Sequence, residues 1–140
     1  MMNNFVCISA VFLLICNFAA GQAKDSVNFK NLEPYDFHMA WLKADKGMLI
    51  DVREPMEYRK NRIKDAINLP SSGNLERAAD TINRELVLFV YCTTGYRSKR
   101  SAQMLINKGF LRVVNLDGGI TAWKKEKFPV DKKRLRGSKK

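Results

Sequence analysis

Hydrophobic and polar positions along this chain switch repeatedly between two periods. An unbroken apolar run, LVLFVY from Leu86 to Tyr91, is too short for an ordinary helix and rich in β-branched and aromatic residues, which predicts a strand covered on both faces. Before it, Leu75, Ala78, Ala79 and Ile82 make a helical stripe, and after it Ala102, Leu105 and Ile106 make another. Ser98 is placed to cap the second helix and Gly109 to end it as the glycine past the last turn. Further upstream, Pro34 opens a helix through YDFHMAWL that exits at Lys46-Gly47, Met48 to Val52 is a buried strand, and Pro55 starts a brief helical turn through Tyr58. Ile63 to Leu69 brings the chain back to the sheet before Pro70 and Ser71-Ser72-Gly73 break it. Downstream, Val113 to Leu116 is a short strand, Asp117-Gly118-Gly119 a sharp turn, and Ile120 to Lys125 a short helix carrying Trp123. Lys24 to Leu32 is an extended lead-in.

Strands and helices that alternate with short links predict one α/β domain: a compact, parallel-rich sheet flanked by helices, with reactive groups outside the carboxyl ends of its strands. A length of 140 residues leaves little room for a second domain. Neither a dinucleotide glycine fingerprint nor a Walker loop is present.

The first residues change the picture of where the domain begins. Residues 1–23 hold no charged side chain, carry the apolar run FVCISAVFLLICNFAA, and end in small residues before Lys24 and Asp25. They are expected to be a secretory signal peptide, cleaved after Ala23 or Gly21, which makes the protein exported and periplasmic. The alternatives are retention as a membrane anchor and, more weakly, a lipoprotein signal ending at Cys16. The expected domain is then 24–130, followed by a basic tail over 131–140. Cleavage would remove Cys7 and Cys16 and leave Cys92 alone, so no internal disulfide could form.

The chain's net charge of +11 falls outside the leader, part of it clustered from Lys124 to Lys140. The plain reading of that cluster is a solvated tail; the sharper one is attraction to an anionic membrane surface. Nucleic-acid binding is not expected, because no finger spacing, RNP-like run or basic recognition helix is present. His38 lies on an amphipathic helix with no second histidine to build a metal site or relay. Trp123 is a core or lid residue.

The chemistry concentrates in CTTGYRS, which directly follows the central strand. Cys92 stands at the strand's carboxyl end, and Thr93, Thr94, Gly95, Tyr96, Arg97 and Ser98 curl over the start of the next helix. Unpaired N–H groups and the positive helix end favour a thiolate there, and Arg97 adds a charged, planar fork of donors. The competing reading is a cysteine that simply packs in the strand end. Asp51, Arg53, Glu54 and Arg59 follow an earlier strand and either decorate the surface or fix loops near the active mouth. Lys99 and Arg100 either gather an anionic substrate or face solvent.

Three stretches, taken together and in order, resemble a single-domain rhodanese (thiosulfate sulfurtransferase): IDVREPMEYRKNRIKDAINLP from Ile50, CTTGYRS from Cys92, and VVNLDGGITAW from Val113. The resemblance covers essentially everything after the leader. It implies that Cys92 is a persulfide-forming nucleophile and that residues 93–97 surround the transferred sulfur with backbone N–H groups. It further implies that small sulfur-containing anions are donors, a small thiol or protein cysteine is an acceptor, and no metal or organic cofactor is needed. The chain departs from the family's usual pattern at Thr93, at Asn61-Arg62 in place of Gly-His, and at Asp65 in place of glycine. Two other functions remain open: a non-catalytic module binding an anion or protein, and a cysteine-dependent phosphatase or arsenate reductase. The latter pair would want a longer loop and an acid to protonate the leaving oxygen, which CTTGYR lacks.

Overall fold

In the computed structural model, residues 28–132 are described. They form β1 (Lys30–Leu32), α1 (Pro34–Lys43), β2 (Gly47–Asp51), α2 (Pro55–Lys60) and β3 (Ile67–Asn68), then α3 (Asn74–Ala79), β4 (Val87–Tyr91), α4 (Tyr96–Asn107), β5 (Val113–Leu116) and α5 (Gly119–Lys125). The five strands make one sheet in the order β1-β5-β4-β2-β3, and every pairing is parallel.

The period of two along β4 explains its unbroken apolar run. Leu88, Val90 and Cys92 pack into a core with Leu75, Ala79, Ala102, Leu105 and Phe110 from the α3 and α4 side. Phe89 and Tyr91 point the other way, into a core with Phe37, Leu116, Ile120 and Trp123 from the α1 and α5 side. Trp123 is a core residue, with its indole N–H donating to the Pro129 carbonyl at 2.9 Å. His38 is half-buried and meets Trp123 and Phe128 edge-on.

Two expectations need correction. Part of the lead-in is a strand: Lys30–Leu32 pairs in register with Val114–Leu116, a contact too short and too polar to show as a strand period. The helix after the reactive loop is capped by Gly95 instead of Ser98; Gly95 takes the left-handed conformation at φ 92°, so the helix begins two residues before Ser98. Asp131, the first residue of the expected tail, exchanges two backbone hydrogen bonds with Arg62 (3.0 and 2.7 Å) and a 2.7 Å side-chain ion pair. The leader over 1–23 and the rest of the tail, 133–140, lie outside the described residues. Among the described residues no helix is long and apolar enough to cross a membrane.

Strand order also places the site. The chain leaves β2 toward β3 at one edge and leaves β4 toward β5 on the opposite side. The loops after these two adjacent strands therefore diverge, opening a crevice at their carboxyl ends. The β4–α4 loop forms one bank of that crevice and α2 forms the other.

Candidate active site

Cys92 lies at the floor of the β4–α4 loop. Its Sγ accepts a hydrogen bond from the Gly95 N–H at 3.2 Å, and the Ser98 hydroxyl lies 3.5 Å away. Burial would push the thiol up, but the Ser98 hydroxyl and the N–H groups of Ser98, Thr94 and Gly95 outweigh it and hold the thiol below the ordinary cysteine range. Starting α4 at Tyr96 is what aims these donors inward, since the first N–H groups of a helix have no partner within it. The Ser98 hydroxyl also lies 3.2 Å from the Gly95 carbonyl, and an ionised sulfur is the stronger of its two acceptors. Cys92 is only 1% exposed. Cys92 belongs to the apolar core on the α3 and α4 side, and its sulfur also meets two polar groups, the Gly95 N–H and the Ser98 hydroxyl, that packing alone does not need.

The loop's carbonyls are turned outward and held there by α5. Ile120 N–H donates to the Cys92 carbonyl at 2.9 Å and Thr121 N–H to the Thr93 carbonyl at 3.0 Å. This approach demands glycine at position 119: a Cβ there would stand 2.5 Å from the Cys92 oxygen, and φ is 59°. Asp117-Gly118-Gly119 is thus the support beneath the reactive loop as well as a turn.

Arg97 does not point its charge at the sulfur alone. Its guanidinium makes a two-pronged pair with Glu57 of α2, Nη1 to Oε2 and Nη2 to Oε1, both at 2.8 Å. Thr93 completes a triangle: its hydroxyl donates to Glu57 Oε1 at 2.8 Å and accepts from Arg97 Nη2 at 3.1 Å. Hydrogen bonding from Arg97 is the main reason the Glu57 carboxyl is held down at about 2. Arg97 therefore closes the loop by clamping it to α2, while Ser98 and the backbone amides do most of the thiol's stabilisation.

Glu57 is the site residue that sequence reading misses. Its signal was present: it stands three residues after Glu54, inside the helix that Pro55 opens, and the two glutamates form a reciprocal capping box. The acids and bases singled out around it do other work. Asp51 and Arg53 form a buried pair at 2.7 Å, and Arg53 also donates to the Asn61 carbonyl, so they fix the β2–α2–β3 segment and make no hydrogen bond to the Cys92 loop. Glu54 caps α2, and Arg59 reaches Met56 on the same helix. Lys99 is held by Asp117 at 2.8 Å. Arg100 lines a groove beside Arg97. Thr94 and Tyr96 are exposed at the mouth.

With this geometry the comparisons with known proteins agree. The Rhodanese-like domain family matches residues 35–126, and the chain belongs to it. A protein of Allochromatium vinosum named sulfurtransferase is 35% identical over 83 residues, covering 59% of this chain and 77% of the relative. The thiosulfate sulfurtransferase GlpE of Actinobacillus pleuropneumoniae is 29% identical over 108 residues, covering 76% of this chain and 96% of that one. The crystal structure of a rhodanese-related protein from Thermoplasma volcanium superposes with a TM-score of 0.66 at 31% identity, covering 74% of this chain and 99% of that chain.

Proposed function

We propose that this protein is a sulfurtransferase that carries a sulfane sulfur on Cys92, from thiosulfate or a similar donor to a thiophilic acceptor. In the first step the Cys92 thiolate attacks the outer sulfur of the donor; the donor's sulfur–sulfur bond breaks, sulfite leaves with the electron pair, and a Cys92 persulfide remains. An acceptor such as cyanide or a thiol then attacks the outer persulfide sulfur, and Cys92 leaves as thiolate. The supporting observation is the ring around Sγ: amide and hydroxyl donors pooled at the start of a twelve-residue helix, which favour negative charge on sulfur before and after loading. Sulfurtransferase-named relatives support the same reading.

The ring is closed by an arginine five positions after the cysteine, and Glu57 spends its carboxylate on that arginine. Neither leaves an acid placed to protonate a departing alkoxide, which sets sulfur transfer above phosphate-ester or arsenate chemistry. The assay that tests the function compares thiocyanate formation from thiosulfate and cyanide with hydrolysis of a small aryl phosphate. Cys92-dependent thiocyanate formation supports the proposal. Cys92-dependent phosphate release that exceeds it would overturn the proposal, and neither activity across several sulfane donors would point to a binding module.

A further inference from the structure

A groove of about 280 Å³ opens between α3 and α4, next to the reactive loop. Leu75 and Glu76 form its α3 wall; Arg97, Arg100 and Met104 form its α4 wall, with Ser71 and Ser101 also lining it. Arg97, Arg100 and Met104 share a helix face at spacings of three and four, so the groove runs about 10 Å along α4 from the loop. Arg97 thus belongs both to the closure over Cys92 and to the groove.

The charges are unequal in their commitments. Arg97 is occupied by Glu57. Arg100 and Glu76 are exposed and form no ion pair among the described residues, so a cation and an anion face the groove without internal partners. Between them, half-buried Met104 supplies the apolar surface, with Leu75 buried behind it. An inorganic donor anion has no carbon skeleton to lay on that wall, and a space of this size and length suits a small organic molecule better than a protein segment.

We propose that this groove is the acceptor subsite, and that it takes a small thiol bearing a carboxylate, the carboxylate on Arg100 and the thiol directed back along α4 past Arg97 toward the Cys92 loop. Glu76 disfavours a second negative charge and accepts an ammonium group. The proposal rests on Cys92 carrying the sulfur. The acceptor thiol loses its proton to solvent, its sulfur attacks the outer sulfur of the persulfide, and the bond to Cys92 Sγ breaks with its electron pair returning to Cys92. The products are the acceptor persulfide and the enzyme thiolate.

Full-length protein loaded with thiosulfate and freed of donor is discharged with N-acetylcysteine, which carries a carboxylate, with uncharged 2-mercaptoethanol, or with cationic cysteamine. R100E is expected to slow discharge by N-acetylcysteine about tenfold, to speed cysteamine, and to leave 2-mercaptoethanol within about twofold. Sulfur loading stays unchanged. K43E makes the same change of charge at an exposed lysine at the end of α1, outside the groove, and is expected to leave N-acetylcysteine within about twofold. Equal slowing by R100E and K43E, equal loss for all three thiols, or slowed loading with normal discharge would each overturn the subsite.

A binding arm separates this failure from failure of sulfur transfer itself. S-methyl-N-acetylcysteine, which cannot react, should shift the amide resonances of Glu76, Arg100 and Ser101 in the wild type and not in R100E, whether or not the protein loads sulfur. Absence of those shifts in the wild type would refute the groove.

Discussion

Glu57 and Arg97, forty residues apart in the chain, meet through two hydrogen bonds of 2.8 Å across the crevice between the loops that follow β2 and β4. Their side chains are about a third exposed, 35% and 34%, so the pair adds little to global stability, on the order of 1 kcal/mol or less. Its effect falls on the shape of the loop. E57Q and R97K each keep much of the side-chain volume and lose the two-pronged charged geometry, and each is expected to lower thiosulfate turnover about tenfold while lowering the melting temperature by at most a few degrees. The double variant should lose little more than either single one, because both break one contact. Additive losses, or single variants with full turnover, would show that the clamp does not shape the ring.

The Ser98 hydroxyl supports the thiolate from 3.5 Å. S98A is therefore expected to raise the Cys92 pKa, read as a shift to higher pH in the ultraviolet absorbance of the thiolate, with a parallel slowing of sulfur loading near neutral pH. An unchanged titration would leave the backbone amides as sufficient by themselves.

At Gly119, a methyl group would meet the Cys92 carbonyl at 2.5 Å and the Thr93 carbonyl at 2.7 Å, on a backbone with φ 59°. G119A should cost about 2 to 4 kcal/mol of stability from strain and clash together. It should also reduce loading in whatever fraction stays folded, because Ile120 and Thr121 would no longer hold the loop's carbonyls outward. G109A is the comparison: its φ of 90° brings a similar backbone strain, but no atom lies within 4 Å of its Cβ position, so it should destabilise less and leave loading intact.

The low folded-state value of Glu57, about 2 against an ordinary 4.5, fixes the sign of a pH effect. A carboxylate whose pKa is depressed on folding stabilises the native state fully above its unfolded value and loses that contribution as pH falls through its folded value. The stability difference between wild type and E57Q should be constant from pH 7 to about 5, then shrink between about 4.5 and 2. Denaturation midpoints measured across that range check it; a difference that instead vanished between pH 7 and 5 would mean the clamp is not the source of the shift.

The parallel sheet, the central strand and the cysteine loop were legible because each is a local signal: LVLFVY carries the strand, Gly109 the helix end, and CTTGYR its own turn. What escaped was non-local. Lys30–Leu32 is a strand only because β5 lies beside it, and Glu57 reaches Arg97 only because strand order sets α2 across from the β4–α4 loop. Departures from the family pattern have local physical accounts. Asp65 occupies the left-handed region at φ 67°, where glycine is favoured and aspartate is tolerated. Arg62 lies 5.1 Å over the Tyr58 ring and pairs with Asp131, tying the end of the domain to α2.

The most direct test of the account is the mass of the intact protein after incubation with thiosulfate and removal of excess reagent. Wild type is predicted to gain one sulfur atom, to lose it on brief treatment with cyanide, and to give no such gain as C92S. A wild-type protein that stays unmodified with every sulfane donor tried, or one that gains the same sulfur in C92S, would contradict a persulfide at Cys92.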